Sequence, residues 1–150
     1  MLARALFAFL ALPGIVAIAV PAVFVTARLR DGAAFHAVGL VPLIAGFVLL
    51  LWCVRDFYVA GKGTLAPWEP PRDLVVIGLY RFSRNPMYVA VTLMLVGWLV
   101  CAWSRSLAIY TIFVIVAFHL RVIFGEEPWL ARTHGAAWEE YRSRVPRWLI

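Results

Sequence analysis

Charged residues are scarce in this chain, because Asp, Glu, Lys and Arg together make up only 15% of it. Hydrophobic residues make up 64% and the mean hydropathy is +0.88, a composition that argues against a soluble domain. The chain has only two cysteines, Cys53 and Cys101, and each lies alone inside an apolar run. This spacing predicts neither a disulfide framework nor a metal site, so we interpret both as packing residues.

Four apolar runs are each long enough to cross the ~30 Å hydrocarbon core, which takes about 20 helical residues. We place these spans at about residues 6–28, 37–60, 87–103 and 106–124. None of them alternates with a period of two, so they predict helices rather than a membrane β-barrel. The first run is longer than the apolar core of a signal peptide, and we interpret it as a retained span that is bent at Pro13 and Pro21. The sequence therefore predicts an all-α integral membrane protein, a bundle of about four transmembrane helices in one domain over residues 1–150.

Basic residues lie mainly on one side of this predicted topology. That side carries Arg4, Lys62, Arg72, Arg81, Arg84, Arg132, Arg142, Arg144 and Arg147, and the other side only Arg28, Arg30 and Arg105. The positive-inside rule places both termini and the long loop in the cytoplasm, and the basic excess indicates contact with anionic lipid rather than nucleic acid. A single lysine among so many arginines is typical of a GC-rich bacterial genome. We therefore expect a bacterial inner-membrane protein.

The connections between the spans predict which segments meet. The loop at 61–84 contains apolar residues that require burial, so we expect it to fold over the cytoplasmic mouth of the bundle. The very short link between spans three and four predicts a tight helical hairpin, which brings residues 84–88 beside residues 119–127. Arg55 and Asp56 end the second span, and we expect both of them to be solvated.

Two motifs at this face carry the candidate chemistry. In RNPMY (84–88), Asn85 and Pro86 form a helix start signal, and the same helix start beside Arg84 and Tyr88 also suits a carboxylate or phosphate ligand. Glu126 and Glu127 either fill the first turn of the tail helix or hold a cationic ligand, and the sequence leaves both interpretations open.

Other polar residues near these motifs are weaker candidates. His119 and Arg121 lie near the end of span four, where an ionisable residue is a functional hypothesis by default. His36 and His134 have no partners at metal-ligand spacing, and no Ser or Cys has the setting of a nucleophile. The tail after residue 126 places Trp and Tyr on one helical face and Arg on the other, which predicts an amphipathic helix at the membrane surface that is bent or split at Gly135.

The two motifs together resemble a known family. GLYRFSRNPMY (78–88), followed by EEPWLARTHGAAWEEYRSRVPRWL (126–149), resembles the isoprenylcysteine carboxyl methyltransferases and their small prokaryotic relatives. It is more distantly similar to the phospholipid N-methyltransferases, and the likeness covers residues 61–149. The resemblance implies that S-adenosylmethionine binds at the cytoplasmic face, in a region formed by 61–88 and 119–148. It also implies that a lipid-like substrate enters from the bilayer.

The resemblance assigns roles residue by residue. The implied cofactor-binding residues are Leu74, Val75, Tyr80, Asn85, Pro86, Met87, Tyr88, Glu126 and Glu127. The implied catalytic residues are Glu127 and Arg121, of which Arg121 is the nearest match to the substrate-contacting arginine of the family. Asn85 stands where the family has a histidine, Ala90 where a glycine is common, and His134 where a phenylalanine usually precedes Gly135.

The resemblance implies methyl transfer to a lipophilic acceptor in the membrane, and we expect no nucleic acid or obligate protein partner. The first expected acceptor is a carboxylate of an isoprenylcysteine-like or other lipid, which is already ionised at neutral pH and needs only orientation and exclusion of water. A phospholipid amine or a small thiol or phenol is the alternative acceptor. The alternative from another class is a non-enzymatic membrane subunit or transporter, in which both motifs only start helices.

Overall fold

The computed structural model describes residues 10–60 and 73–149, and these residues are helical apart from short turns and connections. The α-helices of these two ranges are α1 (Val20–Arg30), α2 (Leu40–Ala60), α3 (Pro86–Ala102), α4 (Arg105–Arg121), α5 (Glu127–His134) and α6 (Ala136–Arg144). π-Helical turns at Leu10–Ala19 lead into α1, and those at Val122–Glu126 join α4 to α5. Two 3₁₀ turns, Ala37–Gly39 and Gly78–Arg81, precede α2 and α3.

Three of the helical segments are long and apolar enough to cross a membrane: Pro13–Arg30, Ala37–Phe57 and Arg105–His134. The α3 helix, Pro86–Ala102, is also apolar but shorter. The prediction of an all-helical integral membrane protein is therefore confirmed. Residues 6–9 of the predicted first span and residues 61–72 of the predicted loop lie outside the described residues.

Small residues allow α2 and α3 to pack closely against each other. A methyl group at Gly46 would lie 2.7 Å from the carbonyl oxygen of Ala90, and one at Gly97 would lie 2.6 Å from the backbone nitrogen of Leu43. The hydrophobic effect does not drive helices together in lipid. Close backbone packing of this kind stabilises the contact between the two helices instead. The main core, which includes Leu50, lies along this contact.

The first helical segment is held to the bundle where a proline disrupts it. Pro21 has no N–H, so carbonyl groups one turn earlier lose their usual partner. Trp98 Nε1 donates to the carbonyl oxygen of Ala17 at 2.9 Å, and Tyr110 Oη donates to that of Val16, also at 2.9 Å. Because no water reaches such groups in hydrocarbon, these two bonds both compensate for Pro21 and attach this segment to α3 and α4.

The tight hairpin between α3 and α4 is confirmed. Only Trp103 and Ser104 separate the two helices; Trp103 has φ 44°, and Ser104 Oγ accepts a hydrogen bond from the Leu107 N–H at 3.3 Å. At the opposite end of the hairpin, the rings of Tyr88 and Phe118 lie 4.5 Å apart. The start of α3 is therefore beside the end of α4, as the topology predicts.

The tail continues α4 rather than starting a separate helix. Its split at Gly135 is confirmed, because this residue has φ 50° and separates α5 from α6. The aromatic face of α6 packs on protein: Trp138 is buried, and buried Tyr141 donates from Oη to the carbonyl oxygen of Tyr80 at 2.7 Å. These aromatic side chains thus attach the tail to the turn before α3.

Candidate active site at the polar end of the bundle

Three charged side chains join the start of α3 to the tail, and we call Arg84, Glu127 and Arg147 the tail clamp. Arg147 binds both carboxylate oxygens of Glu127, from Nε to Oε1 and from Nη2 to Oε2, each at 2.8 Å. Arg84 Nη1 lies 3.0 Å from Oε1 of the same carboxylate. A fork of two parallel bonds from an arginine fixes geometry as well as charge, so Glu127 holds the tail in one position.

Backbone groups complete the attachment of the tail. The Arg84 N–H donates to the carbonyl oxygen of Pro146 at 2.9 Å, and Asn85 Nδ2 donates to that of Arg147 at 2.9 Å. Ser83 Oγ donates to the same Arg147 carbonyl oxygen at 3.3 Å and accepts from the Asn85 N–H at 3.1 Å. The segment before α3 and the last described residues of the chain are thus joined by both main-chain and side-chain bonds.

Asn85 begins α3 in the predicted position but does not cap it in the predicted way. Pro86 is the first residue of the helix, and the Asn85 side chain accepts no capping hydrogen bond. The reason is that its amide group points to the Arg147 carbonyl, where it donates instead. The helix start signal is therefore confirmed, and the Asn85 side chain serves to bind the tail rather than to cap the helix.

Arg84 is the most buried cation of the site. Its side chain is 9% exposed, and its guanidinium lies over the ring of Trp138 at 5.3 Å from the centroid. Within the described ranges, Nε and Nη1 are buried without a hydrogen bond, since the approach of Nη1 to Glu127 lacks hydrogen-bond geometry. Burial lowers the pKa of Arg84 below its ordinary value, and Glu127 opposes this effect. The Glu127 hydrogen bond raises the pKa of Arg147.

The neighbouring acid, Glu126, belongs to a second group with Tyr88 and Arg121, which we call the Tyr88 cluster. Tyr88 Oη donates a hydrogen bond to Glu126 Oε1. Arg121 Nε lies 2.9 Å from Glu126 Oε1 and 3.1 Å from Tyr88 Oη. The Arg121 side chain is 49% exposed, at the outer surface where the spanning helix α4 ends. This cluster therefore offers a cation and a hydroxyl at the edge of the apolar bundle.

Tyr80 and Val75 form a third part of the predicted site. Both are buried in an apolar cluster with Cys53 at the end of α2, and the Phe57 ring lies 5.4 Å from the Tyr80 ring. Burial raises the pKa of Tyr80 well above its ordinary value, and nearby Cys53, Tyr141, Glu126 and Asp56 raise it further. Tyr80 is thus within electrostatic range of the Tyr88 cluster.

The remaining predicted residues connect these parts. Met87 packs against both the Tyr80 cluster and the main core, and Pro86 is buried at the start of α3. Leu74 is half-buried next to Val75. His119, a weaker candidate, stacks on Trp148 with ring centroids 6.0 Å apart. The structure therefore brings the two sequence motifs together at one end of the bundle, and the functional roles of their residues stay predictions.

The expectation that Asp56 is solvated was wrong. Asp56 is 1% exposed, whereas the side chain of its neighbour Arg55 is 72% exposed, as expected. The Asp56 carboxylate packs against Gly78, where an added methyl group would overlap Oδ2 and where φ is 55°. A glycine is thus required at this position for both reasons. The missed signal was helical spacing, because Asp56 follows buried Cys53 by one turn and shares its face.

Arg147 and Trp138 were also missed as parts of the site. Sequence reasoning used Arg147 only for topology and Trp138 only for the membrane surface. No local pattern separates Arg147 from Arg142 or Arg144, which pair with neighbouring acids on the exposed face of α6. Its partner lies elsewhere in the tail, so only the folded chain reveals the pair.

These features define a class: a helical membrane protein with a charged site at one end of its bundle. A model of the phospholipid methyltransferase family matches residues 34–137, and the chain belongs to this family. Delta(14)-sterol reductase TM7SF2 of Mus musculus is 31% identical over 96 residues, which are 63% of this chain and 23% of the reductase. The chain thus spans less than a quarter of the length of that curated relative. No solved structure matches.

The family match begins earlier in the chain than the predicted resemblance. It includes α2, and therefore Asp56, in addition to the RNPMY motif and the first half of the tail, up to residue 137. It supports a membrane methyltransferase. The closer likeness to the isoprenylcysteine carboxyl methyltransferases stays a prediction.

Proposed function

We propose that this protein transfers a methyl group from S-adenosylmethionine to a lipophilic acceptor in the membrane. The observation that carries the proposal is the Tyr88 cluster, which places Arg121, Tyr88 and Glu126 at the edge of apolar helices in a chain of a methyltransferase family. We further propose that residues 1–150 act as one domain. The basic residues around the site support a cytoplasmic site in a bacterial inner membrane.

The side chains of the site fit the chemistry of the cofactor. S-adenosylmethionine carries a carboxylate, an ammonium and a sulfonium group, and when bound it supplies an electrophilic methyl group. Arg84 Nε is buried without a hydrogen-bond partner among the described residues, which suits the carboxylate. The rings of Tyr80 and Tyr88 suit a cationic group. The residues proposed to hold the cofactor are Leu74, Val75, Tyr80, Asn85, Pro86, Met87, Tyr88, Glu126 and Glu127.

Glu127 and Arg121 are the proposed catalytic residues, and the geometry supports a different task for each. Glu127 is paired with Arg84 and Arg147, so it holds these two guanidinium groups in position beside the proposed cofactor. Arg121 is half-exposed at the outer edge, where it can orient an anionic acceptor. Excluding water from the aligned groups is the main requirement for in-line methyl transfer, and the apolar helices provide it.

The first acceptor we propose is the carboxylate of an isoprenylcysteine-like or other lipid. A carboxylate needs no base, and Arg121 supplies the matching charge. A phospholipid acceptor is supported by the description of the family, and a small thiol or phenol completes the methyl-transfer alternatives. An amine acceptor would in addition have to lose a proton before it is methylated.

A second candidate function is the reduction of a sterol-like lipid. The 31% identity to a sterol reductase favours it, and such a reaction would require an electron donor. A non-enzymatic subunit or transporter is the alternative from another class. In that case the charged groups would serve only to attach the tail.

The deciding experiment is calorimetric titration of the detergent-purified protein with S-adenosylhomocysteine, beside a separate titration with a reduced nicotinamide dinucleotide. Saturable binding of S-adenosylhomocysteine near one equivalent supports the methyltransferase. Binding of the nicotinamide alone supports the reductase. Folded protein that binds neither ligand contradicts both enzyme proposals.

Variants then test the site itself. Tyr88→Ala is expected to weaken binding of S-adenosylhomocysteine without unfolding the bundle. Ile109→Ala, on the exposed face of α4 toward the hairpin turn, is the matched control and is expected to leave binding unchanged. Unchanged binding in folded Tyr88→Ala protein would contradict the proposed position of the cofactor.

A further inference from the structure

We infer that the Asp56 carboxylate is a further binding group of the site, and that it selects the positively charged methyl donor over the neutral product. This inference rests on the proposed function, because it assumes that the cofactor lies beside Tyr80. It concerns a residue that the two sequence motifs do not include.

The first observation is that Asp56 is a buried acid with an unsatisfied atom. Its Oδ2 is buried and has no hydrogen-bond partner among the residues that the structure describes. Among the described residues, its Oδ1 is paired with Arg55 Nη1, at a long 3.5 Å, and the Arg55 side chain is 72% exposed. Burying a carboxylate in this way is costly, so an acid kept here indicates that a cation or donor meets it.

The second observation is that Asp56 lies beside the turn that carries Tyr80, one of the residues proposed to bind the cofactor. Its carboxylate packs against Gly78, the first residue of the turn that carries Tyr80. Tyr80 and Phe57, with ring centroids 5.4 Å apart, stand in the apolar cluster at the same end of α2. A negative charge beside aromatic rings is the environment that favours an onium cation.

The third observation is that the other two acids of the site already have cations. Glu127 is bound by Arg84 and Arg147, and Glu126 by Arg121. Neither of these acids is therefore free to meet a cationic ligand. The side chain of the cation paired with Asp56, Arg55, is 72% exposed, whereas the Asp56 carboxylate is buried, so its charge acts strongly in surroundings of low dielectric.

The donor and the product differ in this respect by one charge. When the methyl group leaves, the electron pair of the broken S–C bond stays on sulfur and the sulfonium becomes a neutral thioether. A buried anion near the sulfur therefore stabilises the bound donor but not the bound product. Removing this anion should change the affinity for one ligand and leave the other nearly unaltered.

The test compares Asp56→Asn with the parent protein in calorimetric titrations with S-adenosylmethionine and with S-adenosylhomocysteine. The variant keeps the shape of the side chain and removes its charge. We expect its affinity for S-adenosylmethionine to fall roughly tenfold, and that for S-adenosylhomocysteine to change less than about twofold. Glu139→Gln, which removes an exposed acid of α6, is the matched control and should change neither affinity.

Equal weakening of both ligands would overturn the inference, because Asp56 would then act only by shaping the turn at Gly78. Unchanged affinities would overturn it as well. If Asp56→Asn does not fold, the parent protein still decides: it must bind S-adenosylmethionine more tightly than S-adenosylhomocysteine, and the reverse order contradicts the inference. A parent protein that binds neither ligand refutes the proposed function itself, which is a different result.

Discussion

Glu126 and Glu127 are adjacent in the sequence, yet they belong to two different regions of the site. Glu127 faces inward to the tail clamp, where its side chain is 14% exposed between two arginines. Glu126 faces the Tyr88 cluster at the edge of the bundle and is 33% exposed beside Arg121. Successive residues on a helix point to different sides, so one dipeptide serves both regions.

The two regions differ in exposure, and we expect the tail clamp to contribute mainly to stability and the Tyr88 cluster mainly to the reaction. Arg84 and Glu127 of the tail clamp are buried and Arg147 is partly exposed, so removing one charge leaves at least one buried charge without compensation. The Tyr88 cluster is open to the surface, so its charges are partly hydrated and contribute less to folding. We therefore expect substitutions in the clamp to affect folding first and substitutions in the cluster to affect the reaction first.

The largest expected effect is that of Glu127→Gln. It leaves Arg84 and Arg147 without their shared carboxylate, and we expect the free energy of unfolding to fall by about 2–3 kcal/mol, less than for a fully enclosed pair because Arg147 is partly exposed. Denaturant titration in mixed micelles, followed by tryptophan fluorescence, measures this loss. Glu139→Gln on the exposed face should cost less than about 0.5 kcal/mol. Equal losses in the two variants would show that the clamp is no more than a surface pair.

Tyr88→Phe tests the other side of the comparison. It removes one hydroxyl from the cluster and keeps the ring contact with Phe118. Because a hydrogen bond to a charged group is lost, we expect methyl transfer to a lipid acceptor to fall roughly 10–100-fold, with a smaller loss of stability than in Glu127→Gln. Activity and unfolding are measured on the same preparation. A variant that is unstable but fully active per folded molecule would reverse the assignment of the two regions.

Arg147→Lys sharpens the account of the clamp. Lysine keeps the charge but cannot form the two parallel bonds to Glu127, and we expect a loss of about 1–2 kcal/mol in the free energy of unfolding. Arg144→Lys is the control, since Arg144 pairs with Glu140 on the exposed face of α6. If the two lysine variants are equally stable, charge alone rather than fork geometry holds the tail.

The smallest expected effect is that of Asn85→Ala. The Arg147 carbonyl keeps its bond from Ser83, so we expect a loss of only about 1 kcal/mol. Asn85→His restores a donor and should recover part of this loss. Thermal unfolding of the parent protein, Asn85→Ala and Asn85→His gives the order of their stabilities. A histidine variant less stable than the alanine variant would contradict this explanation of Asn85.

Much of this arrangement could be predicted from local sequence. The apolar runs indicated the spans, Asn85-Pro86 marked the start of α3, and the short link at residues 103–104 required a hairpin that brings RNPMY to the two glutamates. Each of these signals needs only neighbouring residues or the topology. The inward orientation of Asp56 was missed although its spacing after Cys53 signalled it, and only the folded chain shows that Gly78, in a distant turn, leaves room for the carboxylate.

The sequence by itself determined that this chain is a bundle of membrane helices with most of its charged residues toward one end. The physical reason is that hydrocarbon forces each span to satisfy its own backbone and excludes unpaired charge. Only the tertiary structure decided which arginine meets which acid. Arg147 reaches Glu127 because Gly135 splits the tail and Ser83, Arg84 and Asn85 bind the last described residues, and contacts between such distant segments form only in the folded chain.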